Sequence, residues 1–496
     1  MGYPMNRNKA LLLILLLASF SLAACSGPAT PPCTGNCGGG NATVSFTLAA
    51  VPFTPPPGTS ILSFAVTLSG VSLTPASGGS DVTIPLNAAA YVVDLTRLQS
   101  DSAFLGQVLA NVPAGTYNKI TVGVTSAVVT YCTDLSGTLG CDTGSVASIS
   151  KGISVLTVSP FTLTLAASQQ TAVQMQFNFA KAITISGTQP QVVSSVDLTA
   201  ANVLTASTLA PTSSTSSLAS GQLDFVEDVT GVVTAASATS VTVKTSTHGS
   251  ITAAVNSSSL AVTNCVTTPG TACAPAVGQV ASIDTALNSD GTFTLLEFDP
   301  IAPTSSDWIE GIVTSTPSSS TQFQILTNDI SLASTGSLIG TNLSLGAPVQ
   351  VTLANTVKPF LVDSKGLPVS ISTFAGSTDA SNIVPGQTVA LHVTIFTAAA
   401  GAVPAAATVD TVVLRFTRVA GSVSTVAGSI FNIQSLPPFF GSALTYEVQL
   451  SSGSPSTHYD GAPDASGLAG QKVSIRALYF GPTVVPAFTA AKVRKQ

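Results

Sequence analysis

Period-two alternation of apolar and polar residues, repeated along most of the chain, is the feature that most limits its fold. Thr43-Val44-Ser45-Phe46-Thr47-Leu48, Ser63-Phe64-Ala65-Val66-Thr67-Leu68, Ile120-Thr121-Val122-Gly123-Val124 and Val173-Gln174-Met175-Gln176-Phe177-Asn178-Phe179 each place every second side chain on one face. That is the pattern of a strand buried on one side. No segment after Ser220 keeps helical spacing for three turns, so the chain is expected to be all-β. One stretch departs. Ser102 to Ala110 sets Phe104, Leu105, Val108 and Leu109 at spacings of one and four behind Asp101, which predicts a short helix with Asp101 as its N-cap.

The first 24 residues belong to no domain. Arg7 and Lys9 precede Ala10 to Phe20, a run of apolar and small residues too short to span a bilayer stably, and together they read as an export signal. Leu22-Ala23-Ala24-Cys25 then resembles the lipobox of bacterial lipoproteins, which implies a diacylglyceryl group on the Cys25 thiol. Several acyl chains hold a protein firmly to a membrane where one holds it marginally. Ser26 and Gly27 follow with no Asp, and resemblance to sorted lipoproteins implies the outer membrane of the bacterial envelope.

With Cys25 set aside, six cysteines form three local pairs: Cys33 with Cys37, Cys132 with Cys141, and Cys265 with Cys273. An oxidising compartment favours disulfides in each, and no pair has the second pair or nearby His of a zinc shell, so no metal is expected. Charged residues are only 8% of the 496, so the polar surface must be made of Ser, Thr, Asn and Gln. Removal of the signal leaves 14 basic against 22 acidic residues, a net charge of −8 without a basic patch. Nucleic acid, which demands phosphate neutralisation, is therefore excluded as a partner. Lys492, Arg494 and Lys495 form the one cationic cluster and are expected in a solvated tail.

Tyr91-Val92-Val93-Asp94-Leu95-Thr96-Arg97-Leu98, with Val112-Pro113-Ala114-Gly115-Thr116-Tyr117 downstream, resembles a bacterial lipoprotein domain family of unknown function. The Pro-Ala-Gly-Thr-Tyr turn is also similar to transthyretin- or immunoglobulin-like sandwich modules, with Tyr117 positioned to pack over it. The family carries no catalytic residues to transfer. Farther on, a motif pair recurs three times in the same order. Gly-x-Val opens at Gly231, Gly311 and Gly421, and Gly-Gln begins a later strand at Gly278, Gly386 and Gly470. Such units are similar to the small OB-like barrels that follow the first domain in these lipoproteins. The expected organisation is a signal (1–24), a lipidated Cys and tether (25–42), a β-sandwich (43–205), a Ser/Thr/Pro linker (206–222), and barrels at 223–302, 307–417 and 418–496. The middle copy carries an insertion between Ser331 and Ser381.

Chemistry is sparse. There is no Gly-x-Ser-x-Gly elbow, His-Glu-x-x-His helix or phosphate loop. His248, His392 and His458 are scattered, with His392 expected to face solvent from a strand; Asp94, Asp134, Asp142 and Asp197 have no spacing that brings two together. Asn288-Ser289-Asp290-Gly291 reads as a hairpin turn rather than a calcium loop, and His458-Tyr459-Asp460-Gly461 with Asp464 as turn chemistry rather than a metal site. The expectation is a non-catalytic, membrane-anchored surface protein without cofactor, with a glycan or an envelope protein as partner. The alternative is a carbohydrate-active or other hydrolase. One Trp and 6% aromatic residues leave few stacking platforms for sugar.

Overall fold

The strands pair into two large sheets, a two-stranded ribbon (Ile183–Ser186 with Val192–Val196) and three barrels. The computed structural model describes residues 40–496 except 54–55, 57–58, 90, 134–138, 142–144, 188–190, 210–224, 256–273, 288–292, 370–372, 442–443 and 454. In the first sheet Asn41–Ala50 lies between Gln170–Phe177, parallel to it, and Ala103–Pro113, antiparallel; Leu204–Leu209 adds the outer strand. Residues 206–209, expected in the linker, are thus strand. The second sheet is built on the long antiparallel pair Ser60–Pro75 and Gly115–Cys132, with shorter strands along both. Alternate residues of the two sheets, such as Val44, Phe46 and Leu48 against Phe64, Val66 and Val122, share one core. The sandwich is closed at its Pro-Ala-Gly-Thr-Tyr turn by the Tyr117 hydroxyl, which donates to the Pro113 carbonyl at 2.7 Å.

The helix expected over 102–110 is instead the strand Ala103–Pro113. Its pairing with Asn41–Ala50 slips twice, between Ala42 and Val44 and between Phe46 and Thr47. The first slip inserts two extra residues between Val108 and Val112 and the second inserts Leu105, and these irregularities break the period-two pattern of the strand. Asp101 caps nothing; it is fully buried and receives an arginine from the far end of the chain.

Each barrel has five strands in the order first, second, third, fifth, fourth and back to the first, with third and fifth parallel. The first comprises Phe225–Ala236, Ser240–Thr245, Ser250–Ala254, Val280–Leu287 and Phe293–Ala302. The second comprises Trp308–Val313, Gln322–Ser331, Pro348–Leu353, Thr388–Thr397 and Ala405–Arg415. Thr417–Ala427, Ile430–Gln434, Tyr446–Leu450, Lys472–Tyr479 and Phe488–Lys495 make the third. The two halves of the repeated motif meet across this frame. Val233, Val313 and Val423 accept from the amides of Gly278, Gly386 and Gly470 at 2.9, 3.0 and 2.9 Å, and donate to the carbonyls of Gln279, Gln387 and Gln471. Glycine is required at both places. A Cβ on Gly231, Gly311 or Gly421 would lie 2.4 to 2.8 Å from a carbonyl oxygen of the second strand, and Gly278, Gly386 and Gly470 have φ of +90°, +94° and +74°.

The extra length of the second barrel falls in two loops, 332–347 and 354–387. Asp307 organises the first, accepting from the amides of Ala333, Leu338 and Ile339 and from the Ser337 hydroxyl. The second carries Asp363 and Lys365 to the place where the units meet.

Candidate functional site

Outer faces of barrel strands should carry the chain's few charges into water. Here they do the opposite. Besides Lys492, six of the 16 basic residues, Arg97, Lys365, Arg415, Arg418, Arg476 and Arg494, have side chains no more than 8% exposed. All six lie where the sandwich and the three barrels converge. Ala281 and Ile283 fill the first barrel, so alternation turns Ser282 and Asp284 outward; Ile475 and Ala477 fill the third and turn Arg476 outward. Arg476 grips Asp284 with two bonds, of 3.0 and 2.7 Å. Lys365 sets its Nζ 3.1 Å from Asp299, 3.3 Å from Glu297 and 3.5 Å from Asp284. Arg415 donates to Glu310 at 3.1 Å and Ser282 at 2.6 Å, and also to Asp363.

The sandwich enters through the turn after Asp94-Leu95-Thr96. Arg97 lies 3.4 Å from Glu310, and Asp101 accepts from Arg418 at 3.0 Å. Arg494 donates to the carbonyls of Leu98 and Asp101 at 3.1 and 3.0 Å, and to Asp460 at 2.6 Å. The C-terminal cations expected in a solvated tail are therefore in a barrel strand, with Lys492 and Arg494 buried. Charge-assisted pairs that bind each other in this way serve as structure, and they bridge all four units.

Burial pushes the Glu297 carboxyl well above its ordinary range, against the pull of Lys365 and with the push of Asp299 and Asp284. A carboxyl whose folded pKa is raised contributes stability below its unfolded pKa and loses it as pH rises through the folded value. Glu297→Gln is therefore expected to stabilise the protein at pH 8, and to flatten the decline in stability between about pH 5 and 8, measured by guanidinium unfolding across that range.

Asp94 and Asp197 make the same local turn. Each accepts from the backbone and hydroxyl of the Thr two residues on: Asp94 at 3.0 and 2.8 Å, Asp197 at 2.9 and 2.7 Å. Burial raises the buried Asp94, whereas hydrogen bonding lowers the exposed Asp197. Asp134, Asp142 and Asn288 to Gly291 lie outside the described residues. His458–Asp460 is a short strand beside Phe488–Lys495, and Asp464 accepts from the Ser466 amide and hydroxyl, which is turn chemistry. His248 is buried, with Tyr91 of the sandwich against its ring at 4.7 Å.

His392 is only partly exposed and shares a hydrogen bond of 2.6 Å with Asp410, 5.4 Å from the Trp308 ring. Burial would raise Asp410, but hydrogen bonds from His392 and Thr411 and the charges of His392 and Lys358 hold it low. The neighbouring Thr411 hydroxyl donates to Asp410 at 2.9 Å instead of to the imidazole, so the pair activates no nucleophile there.

Cys132 and Cys141 form a disulfide, with Cα atoms 5.5 Å apart. Their loop docks on the barrels: the Gly140 amide donates to Phe439 at 2.9 Å and the Cys141 amide to Thr314 at 2.6 Å. Cys25, Cys33, Cys37, Cys265 and Cys273 lie outside the described residues. Among the described residues, no group of three or more His, Cys, Asp or Glu side chains is arranged to hold a metal.

Two concavities among the described residues bear on function. The cleft at the junction, lined by Phe53, Arg97, Phe179, Asn328, Arg418 and Phe439, encloses about 70 Å³, room for water but not for a small-molecule ligand. A groove of about 720 Å³ opens on the third barrel between its first hairpin turn, at Gly428 and Ser429, and Tyr459, Asp464 and Ser466. That lies within the range of ligand pockets. No feature of the sequence announces it, because most of its lining is Ser, Gly and Ala, with Val426, Leu450, Tyr459 and Asp464 drawn from separate segments.

Residues 41–193 match the model of a protein family described as a domain of unknown function, DUF4382. No curated protein matches the chain. Among solved structures, one titled "drosophila Unr CSD456" is similar at 8% identity, covering 54% of this chain and 97% of that one with a TM-score of 0.13. At that score the likeness supports nothing further.

Proposed function

We propose that the chain is a non-catalytic lipoprotein of the bacterial cell envelope, held at the outer membrane through Cys25, whose sandwich and barrels form one rigid body that presents binding surfaces. Leu22-Ala23-Ala24-Cys25, directly after the apolar run from Ala10 to Phe20, carries the reading. The Cys132–Cys141 disulfide is in keeping with an oxidising compartment. The junction gives the rigidity: side chains that would otherwise be available for chemistry clamp the four units together. Glycans and envelope proteins are the partner classes that suit a surface of hydroxyl and amide groups. Acylation requires the Cys25 thiol, so Cys25→Ser is expected to abolish labelling by radioactive palmitate and move the protein to the soluble fraction. Undiminished labelling would overturn the anchor.

A further inference from the structure

The three barrels share a frame but not a surface. In each, the residue at or just after the end of the third strand bonds back to the turn between the first and second: the amides of Val255, Leu353 and Leu450 donate to the carbonyls of Thr239, Thr321 and Ser429, each at 2.8 Å. In the second barrel the turn spans residues 314–321 and is covered. The short helical turn Ala380–Asn382 closes over it, with the Ala380 amide donating to the Ser320 carbonyl at 2.8 Å. In the third barrel the turn is only Gly428 and Ser429, and the corresponding helical turn Ala465–Gly467 stands apart from it. The groove of about 720 Å³ lies between them.

Its lining narrows the ligand. No Lys, Arg or His lines it, which disfavours phosphates, sulfates and carboxylates. Ser429 and Ser452 supply hydroxyls, while those of Ser451 and Ser466 donate to Pro455 and Asp464; Val426 and Leu450 add apolar surface, and Tyr459 is the one aromatic ring. Asp464 is the one carboxylate; its Oδ1 accepts from the Ser466 amide at 2.7 Å and hydroxyl at 2.5 Å, which leaves Oδ2 to accept from a ligand. Gly428, Ala465 and Ala469 leave room for a ring to approach. An aromatic face, a carboxylate oxygen and serine hydroxyls between small residues match a molecule with apolar ring faces and a rim of hydroxyls. We propose that this groove binds a neutral carbohydrate, with a sugar ring against Tyr459 and a pair of sugar hydroxyls donating to Asp464.

The proposal rests on the binding role argued above and gives it a site and a ligand class. The test uses the full-length Cys25→Ser chain without acyl groups, titrated calorimetrically with neutral hexose and N-acetylhexosamine oligosaccharides and, in parallel, with spermidine. Binding of at least one oligosaccharide is expected, weakened about tenfold or more by Tyr459→Ala, which removes the stacking face, and retained by Tyr459→Phe, which keeps it. Ala469→Trp fills the groove from a position outside the barrel core and is expected to abolish binding with the fold intact by circular dichroism. The proposal falls if no oligosaccharide binds, if spermidine alone binds, or if Ala469→Trp leaves affinity unchanged. Palmitate labelling of the unmodified chain is independent of all these outcomes, so failure here is distinguishable from failure of the anchor.

Discussion

Arg415→Met is expected to destabilise the protein by about 3–5 kcal/mol, because it leaves buried carboxylates without their cation. Arg415 is 1% exposed, and its guanidinium binds Glu310 of its own barrel, Asp363 of the insertion and Ser282 of the preceding barrel. Methionine fills comparable volume but brings no donor. Glu310 retains Arg97 at 3.4 Å, whereas Asp363 loses the one ion pair shown for it. Guanidinium unfolding of the variant should show the loss. The triple variant Arg415→Met, Asp363→Leu, Glu310→Gln should recover much of it, since replacing both sides of a buried pair removes the desolvation cost along with the attraction. A loss below about 1 kcal/mol would mean that water reaches the junction and screens it.

A break within residues 210–224 is expected to leave the two pieces of the protein together. That stretch, rich in Ser, Thr, Pro and Ala, is the segment a broad-specificity protease should attack first. The sandwich and the barrels are nonetheless joined by Arg97 with Glu310, Arg418 with Asp101, Arg494 with the Leu98 and Asp101 carbonyls, and the Phe439 amide with the Ser60 hydroxyl. The nicked protein should elute from a sizing column at the intact position and part only in denaturant. Separation in native buffer would show that these contacts do not hold the assembly. A barrel fragment beginning near residue 221 should still be β by circular dichroism, yet it exposes Glu310 and Arg418 to water and should unfold at lower denaturant than the nicked complex.

The internal frame of each unit was legible because it depends on local rules. Alternation gives the strands, and the Gly-x-Val and Gly-Gln pairs read correctly as barrel signals because close approach and positive φ admit little else. The relation between units was not legible. Glu310, Arg415 and Arg476 alternate with core residues as solvent-facing charges would, and nothing in a strand's period distinguishes water from a neighbouring barrel. Asp101 looked like a helix cap because two register slips disguised the strand behind it. Lys492 and Arg494 looked like a tail because they stand at the end of the sequence, although they belong to the last strand of a barrel. The groove was silent for another reason: small neutral side chains make space without leaving a pattern.

The last strand gives the assembly an order in time. A chain that emerges N-terminus first presents the sandwich before any barrel. Phe488–Lys495 cannot arrive until the remaining strands have been made, and it brings Arg494 to the Leu98 and Asp101 carbonyls, while the Gln496 side-chain Nε2 donates to the Pro52 carbonyl at 2.9 Å. Until then the Leu98 and Asp101 carbonyls wait without the guanidinium that binds them both. The last strand of the third barrel and the sandwich thus depend on each other, and a product lacking that strand would carry the defect into the sandwich, 396 residues upstream.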